Sequence, residues 1–418
     1  ETDPPPALDE GHQRIIAELD PARFYQPNSA RGNGASSNGG GYSWRAPATF
    51  YANSGFAFNT ECGTASIPNL ESIQAWLPEQ DWFGPNFPND AWAEHDLVNG
   101  AGNAAGPGAF QNMIAARFGP YRNLPEFVRK AQLANYEDFR AMYESRAVRM
   151  FDPCTAIITW MSNPAQPCFV WQVYDYSLEP FSSFFGVQKA CEPIHIMMTQ
   201  DATSTVAIIN NSVQPLKGFS ARVQIYNLDG TRKYDRTSPV PTVAATAASR
   251  LDAVPSPANL SAVHFVKLAL LDAQGQVVSD NFYWRATVAD NFQALDAIPD
   301  VALESKIVRR DQAGKVLLDV TLTNSTANVA VMAHVQLRNR RTNARVLPVY
   351  YTDNYVSLLP GESTTLTVEA AAKDLGRDEP LIVLDGWNTT TQAQDFTAGG
   401  RSSIAPNVNA IIPAAVRK

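Results

Sequence analysis

Two carboxylates stand out by position. Glu61 closes the polar triplet Asn59-Thr60-Glu61 after the apolar run Ser54-Gly55-Phe56-Ala57-Phe58, and Glu1 lies just before a turn into a helix. The apolar run reads as a buried strand. A loop opens at Cys62-Gly63, and a helix-like stretch begins near Ile67-Pro68-Asn69-Leu70. In a parallel α/β barrel the reactive side chains sit at the carboxyl ends of strands. Glu61 has that placement, and Glu1 could share it. Carboxylates on two strands suit retaining glycoside hydrolysis: one attacks the anomeric carbon, while the other protonates the leaving oxygen and then activates water, at a separation of ~5–5.5 Å. The plainer reading of Glu61 is a surface carboxylate at the start of a helix, because isolated carboxylates are mostly exposed.

The elements needed to position these groups can be traced along the chain. Pro4-Pro5-Pro6 introduces a first helix, with Asp3 as its cap and Leu8, Ile15, Ile16 and Leu19 on one face. Asp20-Pro21 ends it. Residues 31–41, RGNGASSNGGG, form a long loop, and Tyr42 and Trp44 after it either line a site or anchor that loop. A helix is predicted over 125–150, capped by Asn123, with Phe139, Met142, Tyr143, Ala147 and Met150 at helical spacing. Residues 155–160, TAIITW, read as another short apolar strand. Helix alternating with fully buried strand implies a parallel sheet.

After Pro193-Ile194-His195 the period changes to two. Strands are predicted over 206–209, 221–226, 263–271 and 276–284, and again over 305–309, 315–323, 330–339 and 363–370, with turns at Asp229-Gly230, Gln274-Gly275, Gln312-Ala313-Gly314 and Pro360-Gly361. Two successive antiparallel sandwiches of about 100 residues each follow from this spacing, the size of immunoglobulin-like domains. Their shared look suggests an internal repeat. The expected fold is multidomain: α/β over 1–195, an all-β sandwich over 196–298, a second over 299–395, and an irregular tail over 396–418.

Bulk properties exclude several classes. The 418 residues are 45% hydrophobic and 18% charged, with net charge −8 and pI near 5.2. No polybasic surface for nucleic acid is expected, and no apolar run reaches the ~18 residues of a membrane span. Cys62, Cys154, Cys168 and Cys191 form no C-x-x-C pair, which argues against zinc. Buried free thiols are the plain reading, with one disulfide still open in an exported protein. His12 and His195 lack metal-ligand spacing and read as structural. Asp175 either orients a neighbour or bonds backbone, the latter being preferred, and Asp353 and Asn354 read as turn residues. Four Asn-x-Ser/Thr triplets, at Asn210, Asn259, Asn324 and Asn388, are close to chance. The chain opens without an initiator Met or a leader, so a processed product or a piece of a longer protein is expected.

Several stretches resemble glycoside hydrolase family 2, in the branch containing exo-β-D-glucosaminidases, β-mannosidases and mannosylglycoprotein endo-β-mannosidases. They are Glu1-Thr2-Asp3-Pro4-Pro5, Phe58-Asn59-Thr60-Glu61, Phe127-Val128-Arg129-Lys130-Ala131-Gln132-Leu133 with Tyr136, Trp171-Gln172-Val173-Tyr174-Asp175-Tyr176, Lys189-Ala190-Cys191-Glu192-Pro193-Ile194-His195 and Gly386-Trp387-Asn388-Thr389. Their order and spacing cover residues 1–395. The resemblance implies the second half of a (β/α)8 TIM barrel followed by two immunoglobulin-like sandwiches. It implies a retaining β-hexosidase without cofactor or metal, acting on a β-linked oligosaccharide or glycoside. Exo-β-D-glucosaminidase-like action is the first reading; β-mannosidase or endo-β-mannosidase action is the alternative. A further reading is an inactive half-enzyme completed by the missing amino-terminal half or by another chain, because an incomplete barrel leaves open sheet edges. Location in the periplasm or outside the cell is a default for polymer-degrading members.

Carried over residue by residue, the resemblance makes Glu61 the nucleophile and Glu1 the acid/base. It makes Trp160 the apolar floor of the sugar site, against a plain reading as core. Asn163 would bond a sugar hydroxyl, and Asn59, beside the nucleophile, would also bind the substrate. Family members usually carry Trp where this chain has Gln166, so sugar stacking there is expected to weaken by about 1 kcal/mol.

Overall fold

The computed structural model describes residues 4–28, 44–52, 57–95, 109–169, 171–376, 378–396 and 402–404. Glu1, Asp3, the glycine-rich stretch 31–41 and Tyr42 lie outside them. Helix α1 (Pro6–Leu19) starts with Pro in its first turn, where the missing N–H costs nothing. Its apolar residues Leu8, Ile15 and Leu19 are exposed. Helix α2 (Pro47–Ala52) leads to strand β1 (Phe58–Cys62). Helices α3 (Leu70–Trp76), α4 (Asp90–Glu94), α5 (Phe110–Phe118) and α6 (Leu124–Ala147) then precede β2 (Ala156–Thr159), and α7 (Ser182–Ala190) follows it.

Strands β1 and β2 pair in parallel, Phe58 with Ala156 and Cys62 with Thr159. A parallel pair needs a long crossover, and α3–α6 supply it. Among the described residues the half barrel expected over 1–195 reduces to this pair and its surrounding helices. Nor are the strands fully buried as expected: Phe58 and Ile158 are exposed. Helix α6 is the organiser. Asn123 caps it as expected, accepting the Glu126 N–H at 2.9 Å. Nineteen of its 24 residues are buried, so it has no solvent face to speak of. Gly186 lets α7 lie directly on it: a Cβ there would sit 2.5 Å from the Tyr136 carbonyl oxygen.

Strands β3 (Ile194–Met198), β4 (Thr205–Asn210) and β7 (Ala247–Ala253) form one sheet of the first sandwich. The other runs β6-β5-β8-β9, from β5 (Ser220–Asn227), β6 (Arg232–Pro239), β8 (Val263–Leu271) and β9 (Val277–Ala286). Strand β4 is apolar at consecutive positions because both its faces are covered. Val206 and Ile208 meet the facing sheet, while Ala207 and Ile209 meet Phe139 and Met142 of α6.

The second sandwich repeats this order. One sheet holds β10 (Glu304–Gln312), β11 (Lys315–Thr323), β15 (Ser363–Ala371) and β13 (Tyr350–Tyr351). The other runs β14-β12-β16-β17-β18: β12 (Ala330–Asn339), β14 (Val356–Leu358), β16 (Pro380–Asp385), β17 (Gln392–Phe396) and β18 (Ser402–Ile404). Strand β18 falls within the stretch expected to be an irregular tail. Order β3-β4-β7 corresponds to β10-β11-β15, and β6-β5-β8-β9 to β14-β12-β16-β17. The turns after β4 and β11 match in detail. Asn210 Nδ2 donates to the Gln214 carbonyl and Asn324 Nδ2 to the Asn328 carbonyl, both at 2.8 Å. Ser212 and Thr326 hydroxyls bond the respective Asn Oδ1 at 2.7 Å. A shared strand order and a shared turn support an internal repeat. These bonds also bury Asn210 and Asn324, and Asn388 is likewise buried, so three of the four triplets are closed to glycosylation in the folded chain.

Candidate active site

Glu61 sits at the carboxyl end of β1 and is buried. Trp160 follows β2 directly, and its N–H donates to the Cys62 carbonyl at 2.9 Å. Parallel pairing therefore brings Glu61 and Trp160 to the same end of adjacent strands. Trp160 is 47% exposed, so it is not core and offers an open indole face. Asn59 is buried, and its Nδ2 donates to the Glu61 carbonyl oxygen at 3.2 Å. Asn163 is exposed and accepts the Ser162 hydroxyl at 3.0 Å. Gln166 is exposed in the same loop. Glu1, the expected acid/base, lies outside the described residues.

The chain after Glu61 is fixed on every side. Residues 61–69 are all buried. Thr64 Oγ1 bonds Asp138 Oδ2 at 3.2 Å, and Ser66 Oγ donates to the Gln172 carbonyl at 3.2 Å. The Asn135 amide brackets Ile67, donating to its carbonyl at 2.8 Å and accepting its N–H at 3.3 Å. Gln132 Nε2 donates to the same carbonyl at 2.9 Å, while its Oε1 accepts Ser182 Oγ at 2.7 Å. Tyr355 of the second sandwich donates its hydroxyl to Asn69 Oδ1 at 2.7 Å. A strand end held this way limits the movement of Glu61, which is what a nucleophile requires.

Sequence reading missed this support. Gln132, Asn135 and Asp138 are polar residues three apart on a helix buried all round. That spacing was the available signal, and two of the three fall in or beside the stretch 127–136. Burial pushes the Asp138 carboxyl well above the usual range, beyond what the Arg117 charge offsets. Arg117 itself pairs with Glu137 at 2.8 Å and lies 5.3 Å from the Trp44 ring, which makes Trp44 a packing anchor. Asp175 bonds backbone as preferred, accepting the Glu179 N–H at 3.0 Å, but it also accepts the Ser72 hydroxyl. All four thiols are free; Cys62, Cys154 and Cys168 are buried and Cys191 is exposed.

On β3, His195 lies fully buried between Glu144 and Glu192, 3.1 Å from each carboxylate. Burial pushes its pKa down, but the two carboxylates outweigh this and hold it above 6.5. Burial pushes Glu192 up, but the His195 bond and the Lys189 charge hold it down at about 2. The signs set a window. The Glu192 contribution is present above its ordinary 4.5 and is lost as pH falls toward about 2. The His195 contribution is complete below 6.5 and is lost as pH rises through the folded value. The joint contribution of these two groups to stability is therefore greatest between 4.5 and 6.5, and it is read as the difference between wild type and variant in thermal unfolding followed against pH. His195→Gln should flatten the alkaline limb, and an unchanged limb would remove His195 as its source.

Among the described residues, no group of three or more His, Cys, Asp or Glu side chains is arranged to hold a metal ion. No described helix is long and apolar enough to cross a membrane.

Residues 281–389 match the family model of the exo-β-D-glucosaminidase Ig-fold domain. The chain is 30% identical over 417 residues to an exo-β-D-glucosaminidase of Amycolatopsis orientalis, spanning 91% of this chain and 40% of that protein. It is 26% identical to a mannosylglycoprotein endo-β-mannosidase of Lilium longiflorum, spanning 90% of this chain and 47% of that one. The crystal structure of an Amycolatopsis orientalis exo-chitosanase superposes with a TM-score of 0.84 at 28% identity, covering 94% of this chain and 50% of the other. A β-D-mannosidase from Dictyoglomus thermophilum shares the fold at a TM-score of 0.66 and 16% identity. The chain thus spans less than half the length of these curated relatives.

Proposed function

We propose, from the premise that the chain is a homologue of the exo-β-D-glucosaminidases and β-mannosidases of glycoside hydrolase family 2, that it forms the carboxyl-terminal part of a retaining β-glycosidase of exo-β-D-glucosaminidase type. The observation that carries this is Glu61: a buried carboxylate at the end of a parallel strand, beside an exposed Trp160, on a segment fixed from all sides. In this reading the Glu61 carboxylate attacks the anomeric carbon and displaces the leaving oxygen, which Glu1 protonates. Glu1 then takes a proton from water, and that water releases the sugar from Glu61. The Trp160 face stacks on the sugar ring, Asn163 and Asn59 serve hydroxyls, and Gln166 stands where the family usually stacks a Trp. No cofactor enters the reaction.

The relatives' greater length supports an upstream portion that completes the barrel. The exposed apolar residues Leu8, Ile15 and Leu19 on α1, with Phe58 and Ile158 on the strands, supply a surface for it. β-Mannosidase action is the second reading, supported by the Lilium longiflorum relative. A hydrolysis assay on aryl β-glucosaminides and β-mannosides tests both. The product of the complete gene should turn over the glucosaminide faster, and the 418-residue chain alone should be nearly inert. Comparable turnover by the chain alone would refute the need for an upstream portion, and preference for the mannoside would select the second reading.

A further inference from the structure

We infer that Arg345, in the β12–β13 connection of the second sandwich, is a positioning residue for the reaction, because it joins the two segments that leave the candidate sugar site. The inference rests on the glycosidase reading above. One segment runs from Glu61 through the buried residues 62–69 to Ser72 in α3. The other runs from Trp160 to Ser162, whose carbonyl accepts the Val173 and Tyr174 N–H groups at 3.0 and 2.9 Å, and on to Asp175 and Glu179. Arg345 Nη1 donates to Ser72 Oγ at 2.7 Å, pairs with Glu179 Oε2, and lies 3.9 Å from Asp175 Oδ2. The Ser72 hydroxyl in turn donates to Asp175.

All four side chains are largely buried, with 12% of Arg345 and 3% and 1% of Glu179 and Asp175 exposed. Two buried carboxylates on one segment therefore share one guanidinium supplied by another domain. Without it they are left without their counter-charge, and Ser72 loses one of its two partners. The nucleophile segment and the Trp160 segment would keep the Ser72–Asp175 and Ser66–Gln172 bonds but lose the charged bridge that clamps them, which loosens their relative placement. A misplacement of about 1 Å can cost a hundredfold in rate. The second sandwich, far from Glu61 in sequence, in this way reaches both segments that leave the site.

The test uses the product of the complete gene with Arg345→Met and Arg345→Lys. For Arg345→Met, kcat on an aryl β-glucosaminide should fall by roughly tenfold or more with KM little changed. Amide exchange should quicken in both 62–72 and 162–179. Arg345→Lys, which keeps the charge but not the fork, should recover part of the loss. Should Arg345→Met fail to fold, Ser72→Ala carries the test with a smaller loss in the same direction. Unchanged exchange in either segment, or a lowered unfolding temperature with kcat per folded enzyme unchanged, would overturn the inference. A wild-type protein inactive on every β-glycoside would refute the glycosidase reading itself, and the exchange data would then still decide whether Arg345 holds the two segments.

Discussion

Glu61→Gln in the complete enzyme is expected to lower kcat by at least about 10³-fold, equivalent to ~4 kcal/mol of transition-state stabilisation. The amide keeps the shape of the carboxylate but cannot form the glycosyl–enzyme bond. Folding should be nearly unaffected. Several bonds that fix this strand end run to its backbone or to its neighbours and survive the change: Asn59 to the Glu61 carbonyl, Trp160 N–H to the Cys62 carbonyl, Asn135 to Ile67. The check pairs kcat with the unfolding midpoint. Loss of turnover at an unchanged midpoint supports the nucleophile role. Near-normal turnover removes it, and a large fall in the midpoint would return Glu61 to a structural role.

The second large effect concerns stability. Lys130 is fully buried, and its ammonium donates to the carbonyls of Phe118, Gly119 and Pro120 at 2.6, 3.1 and 2.9 Å and to Asp296 at 2.6 Å. It pins the α5–α6 connection to the segment between the two sandwiches. Asp296 is 39% exposed, so the ion pair itself is screened and adds little. Most of the effect lies in the three carbonyls that this buried side chain bonds. Lys130→Met removes the donor while roughly keeping the volume, and should cost about 3 kcal/mol. With a urea slope of ~3 kcal/mol per M for a unit of this size, the midpoint should fall by about 1 M. A shift smaller than about 0.2 M would mean that water replaces the ammonium at no penalty.

Local signals were legible in the sequence and distant ones were not. The Asn123 cap involves a bond three residues away, and the α6 pattern follows from spacing within one helix, so both could be read directly. Strands such as β8, β11 and β12 showed through apolar alternation or apolar runs. Strands β6 and β7 did not. Their sequences, RKYDRTSP and AASRLDA, lie at sheet edges and are mostly uncovered, so pairing rather than burial defines them. The site divided in the same way. Glu61 and Trp160 could be placed because each ends a recognisable strand. Arg345, Tyr355 and Asp138 could not, because their partners lie 74 to 286 positions away and no local pattern encodes the meeting. Conversely, Phe58 and Ile158 look like core in sequence and are exposed in the structure, since the sheet they belong to has two strands among the described residues.

The most direct measurement of the central claim is covalent trapping. The product of the complete gene is incubated with a β-configured, mechanism-based fluoro-sugar, digested, and its peptides are weighed and sequenced by mass spectrometry. A retaining enzyme with Glu61 as nucleophile yields one labelled peptide, with the sugar esterified to Glu61, and Glu61→Gln yields none. A label on another carboxylate, or active turnover that inverts the anomeric centre and leaves every peptide unlabelled, would contradict the assignment.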